Sequence, residues 1–252
     1  VADAMKQLLV ENNVAPQDKC VTIYSGMEME PFLASHVYRE QARRQLGYSS
    51  EQVVIGKIAR LFPLKGHEDL IRAAAKVVSV CPQARFLCVG GGILEEALKK
   101  QISRAGLQEY FQFTGLVPPE RLPYVLSAMD IVVHTSLREG LARVLPQALL
   151  AGKPVISYDI DGAREVVLPE RTGILLPPRD IDGLAQAILR LAGDAALRER
   201  LALTGRAWCQ ERFSHEKMTR EIRELYVRLL RAKGYLPERV SQSLGQPVGE
   251  EV

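Results

Sequence analysis

"DIVVHTSLREGLARVLPQALLAGKPVISYD", residues 130–159, runs from one apolar stretch through a charged loop and a helical pattern into a second apolar stretch. Ile131 to Val133 and Pro154 to Ile156 are apolar without alternation, the pattern of strands covered on both faces. Pro146 falls inside the helical pattern, where its missing N–H is harmless only in the first turn. The spacing therefore predicts a helix that starts near Ala142 or Arg143, with Glu139 in the loop before it and Gln147 one turn in. A strand, a helix and a further strand at these lengths make a right-handed crossover between parallel strands.

The same unit recurs on both sides. "VVIGKIA" (53–59), "ARFLCVG" (84–90), "FQFTG" (111–115) and "TGILLP" (172–177) read as further strands. Between them apolar residues fall at three-and-four spacing, as in Leu70, Ile71, Ala74, Val77 and Val78, or Leu94, Ala97, Leu98 and Ile102. The fold class expected is α/β, a doubly wound parallel sheet. The flanks differ. "DKCVTIYSGMEMEPF" (18–32) reads as a strand and a Gly-Met-Glu turn with no helix of its own, and Val1 reads as lying mid-helix, as in a piece of something longer. Met218, Ile222, Leu225, Tyr226 and Leu229 form a long amphipathic stripe, after which residues 233–252 read as a disordered tail.

With 252 residues, 47% hydrophobic and 25% charged, the chain has ordinary globular composition. A net charge of +3 makes no case for nucleic acid, and the arginines from Arg198 to Arg231 alternate with Glu199, Glu211, Glu216, Glu221 and Glu224, as on a solvated helix face. Cys20, Cys81, Cys88 and Cys209 include no Cys-x-x-Cys pair, which suggests a reducing compartment. No run of about 18 apolar residues is present to span a membrane. A soluble, cytoplasmic chain is expected.

Ligands of open parallel sheets bind beyond the carboxyl ends of the strands, so the loops there hold the candidates. In "GKIARLFPLKGHEDL", Arg60 and Lys65 precede a helix beginning near Gly66 or His67; two cations beside a helix N-terminus suit a diphosphate. His67 itself reads as a surface residue of the first turn. "CVGGGILEEAL" suggests a nicotinamide-binding module, but the third glycine of Gly-x-Gly-x-x-Gly would fall at Glu95, where a carboxylate meets the phosphate position. Gly90 to Gly92 still imply a tight turn or close backbone approach to a ligand. In the opening stretch the free N–H groups near Leu141, Ala142, Arg143 and Val144 face the same crevice as Glu139 and Gln147. Asp159–Asp161 and Asp180–Asp182 form Asp-x-Asp triplets, read as loop polarity and helix capping rather than a metal site. His134 reads as a packed or acceptor-side histidine.

Taken together, "GKIARLFPLKGHEDLIRA", "FTGLVPPERLPYVLSAMDIVVHTS", "REGLARVLPQALLAGKPVISYDIDGAREVV" and "TGILLPPRDIDGLAQAI" resemble, in order and spacing, the retaining family 4 glycosyltransferases of GT-B fold, over residues 18 to 230. The resemblance implies a Rossmann-like C-terminal half of a GT-B architecture. Residues 1–30 would be the tail of an acceptor domain plus linker, 31–213 the nucleotide-sugar domain, and 214–232 a crossover helix returning to the acceptor domain.

By the same resemblance Glu139 faces the donor sugar, Arg60 and Lys65 bind its diphosphate, and Gly115, Leu116 and Val117 contact the base partly through backbone. Gln147 stands where the family has a second glutamate, the partner of the ribose hydroxyls. Ala142 and Arg143 replace a glycine and an aliphatic residue, and Arg143 either adds a third cation or points to solvent. The implied substrates are a nucleoside-diphosphate sugar, UDP-linked by preference, and a saccharide or lipid-linked acceptor. No cofactor and no metal are implied, and peripheral association with the inner face of a membrane is admitted. A nucleotide-sugar epimerase shares the two-domain architecture but requires acid–base groups beyond these.

Overall fold

The computed structural model describes residues 2–235. Six strands form one sheet: β1 (Val53–Ile58), β2 (Ala84–Val89), β3 (Phe111–Phe113), β4 (Ile131–His134), β5 (Val155–Tyr158) and β6 (Gly173–Leu176). Every pairing is parallel and the order is β3-β2-β1-β4-β5-β6. All six strands expected from their apolar runs are present. The order reverses direction between β1 and β4, which opens a crevice at the carboxyl ends of those two strands.

Ten α-helices flank the sheet: α1 (Asp3–Glu11), α2 (Glu30–Leu33), α3 (Arg39–Leu46), α4 (His67–Val78), α5 (Glu95–Arg104), α6 (Leu122–Ser127), α7 (Val144–Leu150), α8 (Ile181–Gly193), α9 (Ala195–Arg212) and α10 (His215–Ala232). On one face Leu70, Ala74 and Val77 of α4 and Leu184, Ile188 and Leu191 of α8 pack with Ile55, Phe86, Ile131 and Ile156. On the other, Leu145, Ala148 and Leu149 of α7 and Cys209 of α9 pack with Val54, Leu87, Val132 and Val155. The four inner strands β1, β2, β4 and β5 thus bury both sets of side chains, which is why their sequences do not alternate, while β3 at one edge is only half-buried. Helix starts follow capping chemistry: the side chains of Asp180, Asp194 and Ser214 accept from the N–H groups of Gly183, Leu197 and Lys217.

Two expectations need correction. The 18–32 stretch forms no strand: among the described residues its backbone makes an isolated bridge, Met27 to Ser214, where Met27 N–H donates to Phe213 O at 2.9 Å. Its turn does lead into a helix, the short α2. The first described helix begins at Asp3 with Ala2 extended at its cap, and the reading of Val1 as mid-helix lies outside the described residues. The two backbone N–H groups at its start donate to the Glu165 carboxylate at 2.8 and 2.9 Å, docking α1 on the loop after β5.

The stripe on α10 is helical as expected, and no residue of that helix is fully buried. Tyr226, Leu229 and Leu230 are exposed. The disordered reading of 233–252 falls, from residue 236 on, outside the described residues. Among the described residues no helix is long and apolar enough to cross a membrane.

Candidate functional site

The loops leaving the carboxyl edge of the sheet are stitched to one another in strand order. Gly90 N–H, after β2, donates to Gly115 O, after β3, at 3.0 Å, and Leu61 N–H, after β1, donates to Gly91 O at 3.0 Å. Leu137 N–H, after β4, donates to Leu64 O at 2.8 Å. Finally Glu139 N–H donates to the Asp161 carboxylate, after β5, at 2.6 Å. Five loops therefore form one continuous rim, and its centre lies over the β1/β4 reversal. Only small residues permit such approach. A Cβ on Gly90, whose φ is +134°, would meet Ala59 O at 2.2 Å, and one on Gly66, at φ +65°, would meet Thr135 O at 2.0 Å. Gly90 and Gly92 thus make the tight turn that lets the loop after β2 pack against the loop after β1.

At the centre of the rim Lys65 Nζ donates to Glu139 Oε1, joining the loop after β1 to the loop after β4. Beneath them His134, at the end of β4, is almost fully buried, and its Nε2 stands 3.8 Å from Glu139 Oε1 with no hydrogen-bond partner. His134 Nδ1 lies 3.2 Å from Ser157 Oγ, which itself donates to Tyr158 O at 2.9 Å, so the ring is held between Ser157 and the Glu139 carboxylate.

The Glu139 carboxyl is held down at about 2 by the adjacent His134 ring, against the opposing effect of burial, and by hydrogen bonds from Lys65 and Ser136. We assign Lys65 the leading part, since 3.8 Å is too long for a hydrogen bond from His134. Burial holds His134 below its ordinary value, so the ring is neutral at neutral pH. Glu139 is thus an anion with the Lys65 ammonium beside it, and not a proton donor.

The backbone of the loop that carries Lys65 is held from below. Lys57, on β1 and wholly buried, donates from Nζ to Thr135 Oγ1 at 2.6 Å, and that hydroxyl donates to Gly66 O at 2.6 Å. Burial pulls the Lys57 ammonium down to about 8. His67 is not on the surface as expected: it is buried, and its Nε2 lies 3.1 Å from Arg60 O, closing the turn that carries Arg60 and Lys65. Burial, together with the charge of Lys57, lowers its pKa to about 3. Tyr158 OH donates to Asp69 at 3.0 Å and fixes the first turn of α4 from the β5 side.

The other candidates fall around this centre. Arg60 is exposed, its guanidinium 5.1 Å from the Phe62 ring, with no carboxylate partner among the described residues. The helix containing Pro146 begins at Val144, slightly later than expected, and Pro146 is its third residue. The N–H groups of Leu141, Ala142, Arg143 and Val144 donate to no other backbone carbonyl. Leu141, Ala142 and Gln147 are half-buried, while the Arg143 side chain is exposed. At the β3 end of the rim Gly115 takes a φ of +68°, Leu116 is 81% exposed and Val117 is half-buried.

Asp161 escaped the sequence reading as a site residue. Its carboxylate orders the Glu139 backbone, and its own φ of +43° is the left-handed conformation that aspartate tolerates better than most residues. Of the other Asp-x-Asp members, Asp159 pairs with Arg164, Asp180 caps α8 and Asp182 pairs with Lys76 at 2.5 Å. Among the described residues no group of three or more His, Cys, Asp or Glu is gathered to hold a metal.

The profile of the family described as Glycosyl transferases group 1 matches residues 38–208. Among curated relatives, a GDP-mannose-dependent monoacylated alpha-(1-6)-phosphatidylinositol monomannoside mannosyltransferase of Corynebacterium glutamicum is 30% identical over 77% of this chain and 52% of its own length. The D-inositol 3-phosphate glycosyltransferase of Nocardia farcinica is 31% identical over 78% of this chain and 44% of its own. Among solved structures, Anabaena Alr3699/HepE in complex with UDP and glucose superposes with a TM-score of 0.82 at 28% identity, covering 90% of this chain and 61% of that one. The neighbours are GT-B glycosyltransferases. The chain spans about half the length of the curated relatives it matches.

Proposed function

The chain belongs to the group 1 glycosyltransferases, and from that premise we propose that it is the donor-binding half of a retaining enzyme acting on a nucleoside-diphosphate sugar. The observation that carries this reading is the contact of Lys65 with Glu139 at the reversal of strand order, with Arg60 free beside it. A diphosphate entering the rim draws Lys65 away from Glu139 and recruits Arg60, so that two cations and the unpaired N–H groups before α7 face the leaving group. Breaking the bond from sugar to phosphate builds negative charge on the diphosphate and positive charge on the anomeric carbon. The first is met by Arg60 and Lys65, the second by the Glu139 carboxylate once its lysine has turned to phosphate.

Glu139 then orients the sugar and favours the cationic centre without bonding to it, and the acceptor attacks from the leaving-group face. Gln147 meets the ribose hydroxyls with a neutral amide in place of a carboxylate. Gly115 to Val117 receive the base. UDP is the favoured nucleotide, supported by the complexes of Alr3699/HepE with UDP, UDP with glucose, and UDP-glucose. A hexosyl group passed to a saccharide or lipid-linked acceptor, at the cytoplasmic side of a membrane, accords with the phosphatidylinositol mannoside relative.

The acceptor site belongs to sequence upstream of this chain in this reading. The exposed face of α10 supports it, since that helix would pack against the acceptor domain. The test is a longer protein that restores the upstream segment: it should transfer sugar from UDP-sugar to acceptor with retained configuration, while the 252-residue chain binds UDP and transfers nothing. Equal turnover by the two would refute the half-enzyme reading.

A further inference from the structure

On the opposite edge of the sheet, beneath the amino ends of β4 and β5, Arg39, Asp130, Lys153, Arg198, Glu199 and Arg206 line a cavity of about 270 Å³. Four cations thus face two carboxylates, and Arg43 adds a fifth positive charge behind them. Much of this charge has local work. Arg39 and Arg43 both pair with Asp130 and donate to the carbonyls of Ser127, Ala128 and Met129 at the end of α6, and Arg198 donates to the carbonyls of Leu191 and Ala192.

Two cations keep spare capacity. Lys153 is only 8% exposed and makes one hydrogen bond, to Ser127 O at 3.1 Å, leaving two of its three N–H groups unspent. Arg206 has a buried Nε with no partner, and its guanidinium lies over Gly152, where a Cβ would come within 2.6 Å of Nη2. Asp130 is already engaged by two arginines, and Glu199, exposed on the same wall, pairs with neither Lys153 nor Arg206 among the described residues.

We infer that this cavity is a second anion site, built by Lys153 and Arg206 for a phosphate group and separate from the sugar-nucleotide rim. A buried ammonium and a guanidinium with unmet donors recognise a dianion by charge-assisted hydrogen bonds, and the cavity volume suits a phosphate group. Lys153 also reports on occupancy. Burial and the charge of Arg39, with Arg43 and Arg206 acting in the same sense and Asp130 against them, hold its ammonium down at about 7. Arg198 and Glu199 complete the charged groups around it. An anion in the cavity raises that value, so binding near pH 7.5 takes up a proton. The phosphate group can belong to a soluble phosphate ester or to a lipid headgroup, and the experiment separates the two.

The test uses the 252-residue chain with Arg60→Gln and Lys65→Met, which silences the rim as an anion site. Calorimetry with sulfate, a dianion that does not itself titrate near neutrality, is run in buffers of different ionisation enthalpy. Binding with proton uptake is expected, Arg206→Gln should weaken it roughly tenfold with the unfolding midpoint unchanged, and Lys153→Met should abolish the proton uptake. If Lys153→Met does not fold, Arg206→Gln decides alone, because its head group has no partner to lose. Inorganic phosphate and phosphatidylcholine vesicles carrying phosphatidic acid are then compared. Co-flotation lost in Arg206→Gln assigns the site to a headgroup, and binding of the free ion alone assigns it to a soluble ester. Absence of binding by any of these probes, or binding indifferent to Arg206→Gln, overturns the inference.

Discussion

Replacing Lys65 by Met removes a cation that has two partners in the account, Glu139 in the empty protein and the diphosphate in the complex. A charge-assisted hydrogen bond contributes about 1.5–3 kcal/mol, so loss of the diphosphate contact alone weakens UDP binding roughly tenfold to a hundredfold. Because Lys65 already holds Glu139 before the ligand arrives, part of that energy is offset in the wild type by the contact it gives up. Arg60 has no such contact to surrender, but it is exposed and more screened by solvent and salt. The two substitutions, Lys65→Met and Arg60→Gln, should therefore cost similar amounts, both toward the lower end of that range. Gln147→Ala removes a neutral contact of about 1 kcal/mol and should cost only roughly fivefold.

Titration calorimetry of the three variants with UDP at low and moderate salt reads the ordering directly, with the charge variants also losing salt dependence. Equal losses for all three, or a larger loss for Gln147→Ala, would refute the assignment of Arg60 and Lys65 to the diphosphate.

In the longer protein Glu139→Ala should abolish sugar transfer while leaving UDP affinity within a fewfold of wild type, since the carboxylate faces the sugar and not the phosphate; a parallel loss of UDP binding would count against that role. His67 and His134 are both held neutral by burial, so their folded-state pKa values lie below the unfolded value near 6.5. The stability they contribute is complete above pH 6.5 and is lost as pH falls below it, through about 3 for His67. Denaturant unfolding should show stability falling between pH 7 and 5, with a shallower fall in His67→Leu. Gly66→Ala should destabilise the fold by roughly 3 kcal/mol, because the left-handed backbone and the contact with Thr135 O both oppose a Cβ; an unchanged melting temperature would show the loop to be looser than described.

The strands were legible because burial on both faces writes itself into unbroken apolar runs such as "RFLCV" and "DIVV". That a ligand would lie beyond the carboxyl ends followed from the parallel class, and the charge pattern of "ARLFPLK" and "REG" drew attention to two of the loops there, but the strand order was not legible. What stayed hidden depended on contacts between distant segments. The run "VTIY" near residue 22 has the composition of a strand but pairs with neither edge strand, β3 or β6. His67, between Gly66 and two acidic residues, reads as a helix surface, yet the loop before it folds back so that Arg60 O reaches its ring. The three glycines after β2 could not be told from a ligand turn, because local sequence does not report that Ala59 and Leu61 press against them. Asp161 orders Glu139 across a gap of 22 residues, and only the left-handed turn it occupies hints at a special role.

The central claim, that residues gathered around Glu139 and Lys65 hold a sugar nucleotide, is tested most directly by calorimetric titration of the 252-residue chain with UDP, UDP-glucose, GDP-mannose, an ADP-sugar and NAD. Saturable binding of a sugar nucleotide, competed by its free nucleoside diphosphate and weakened by Arg60→Gln, is the predicted result. Binding of NAD with no response to any sugar nucleotide would contradict it.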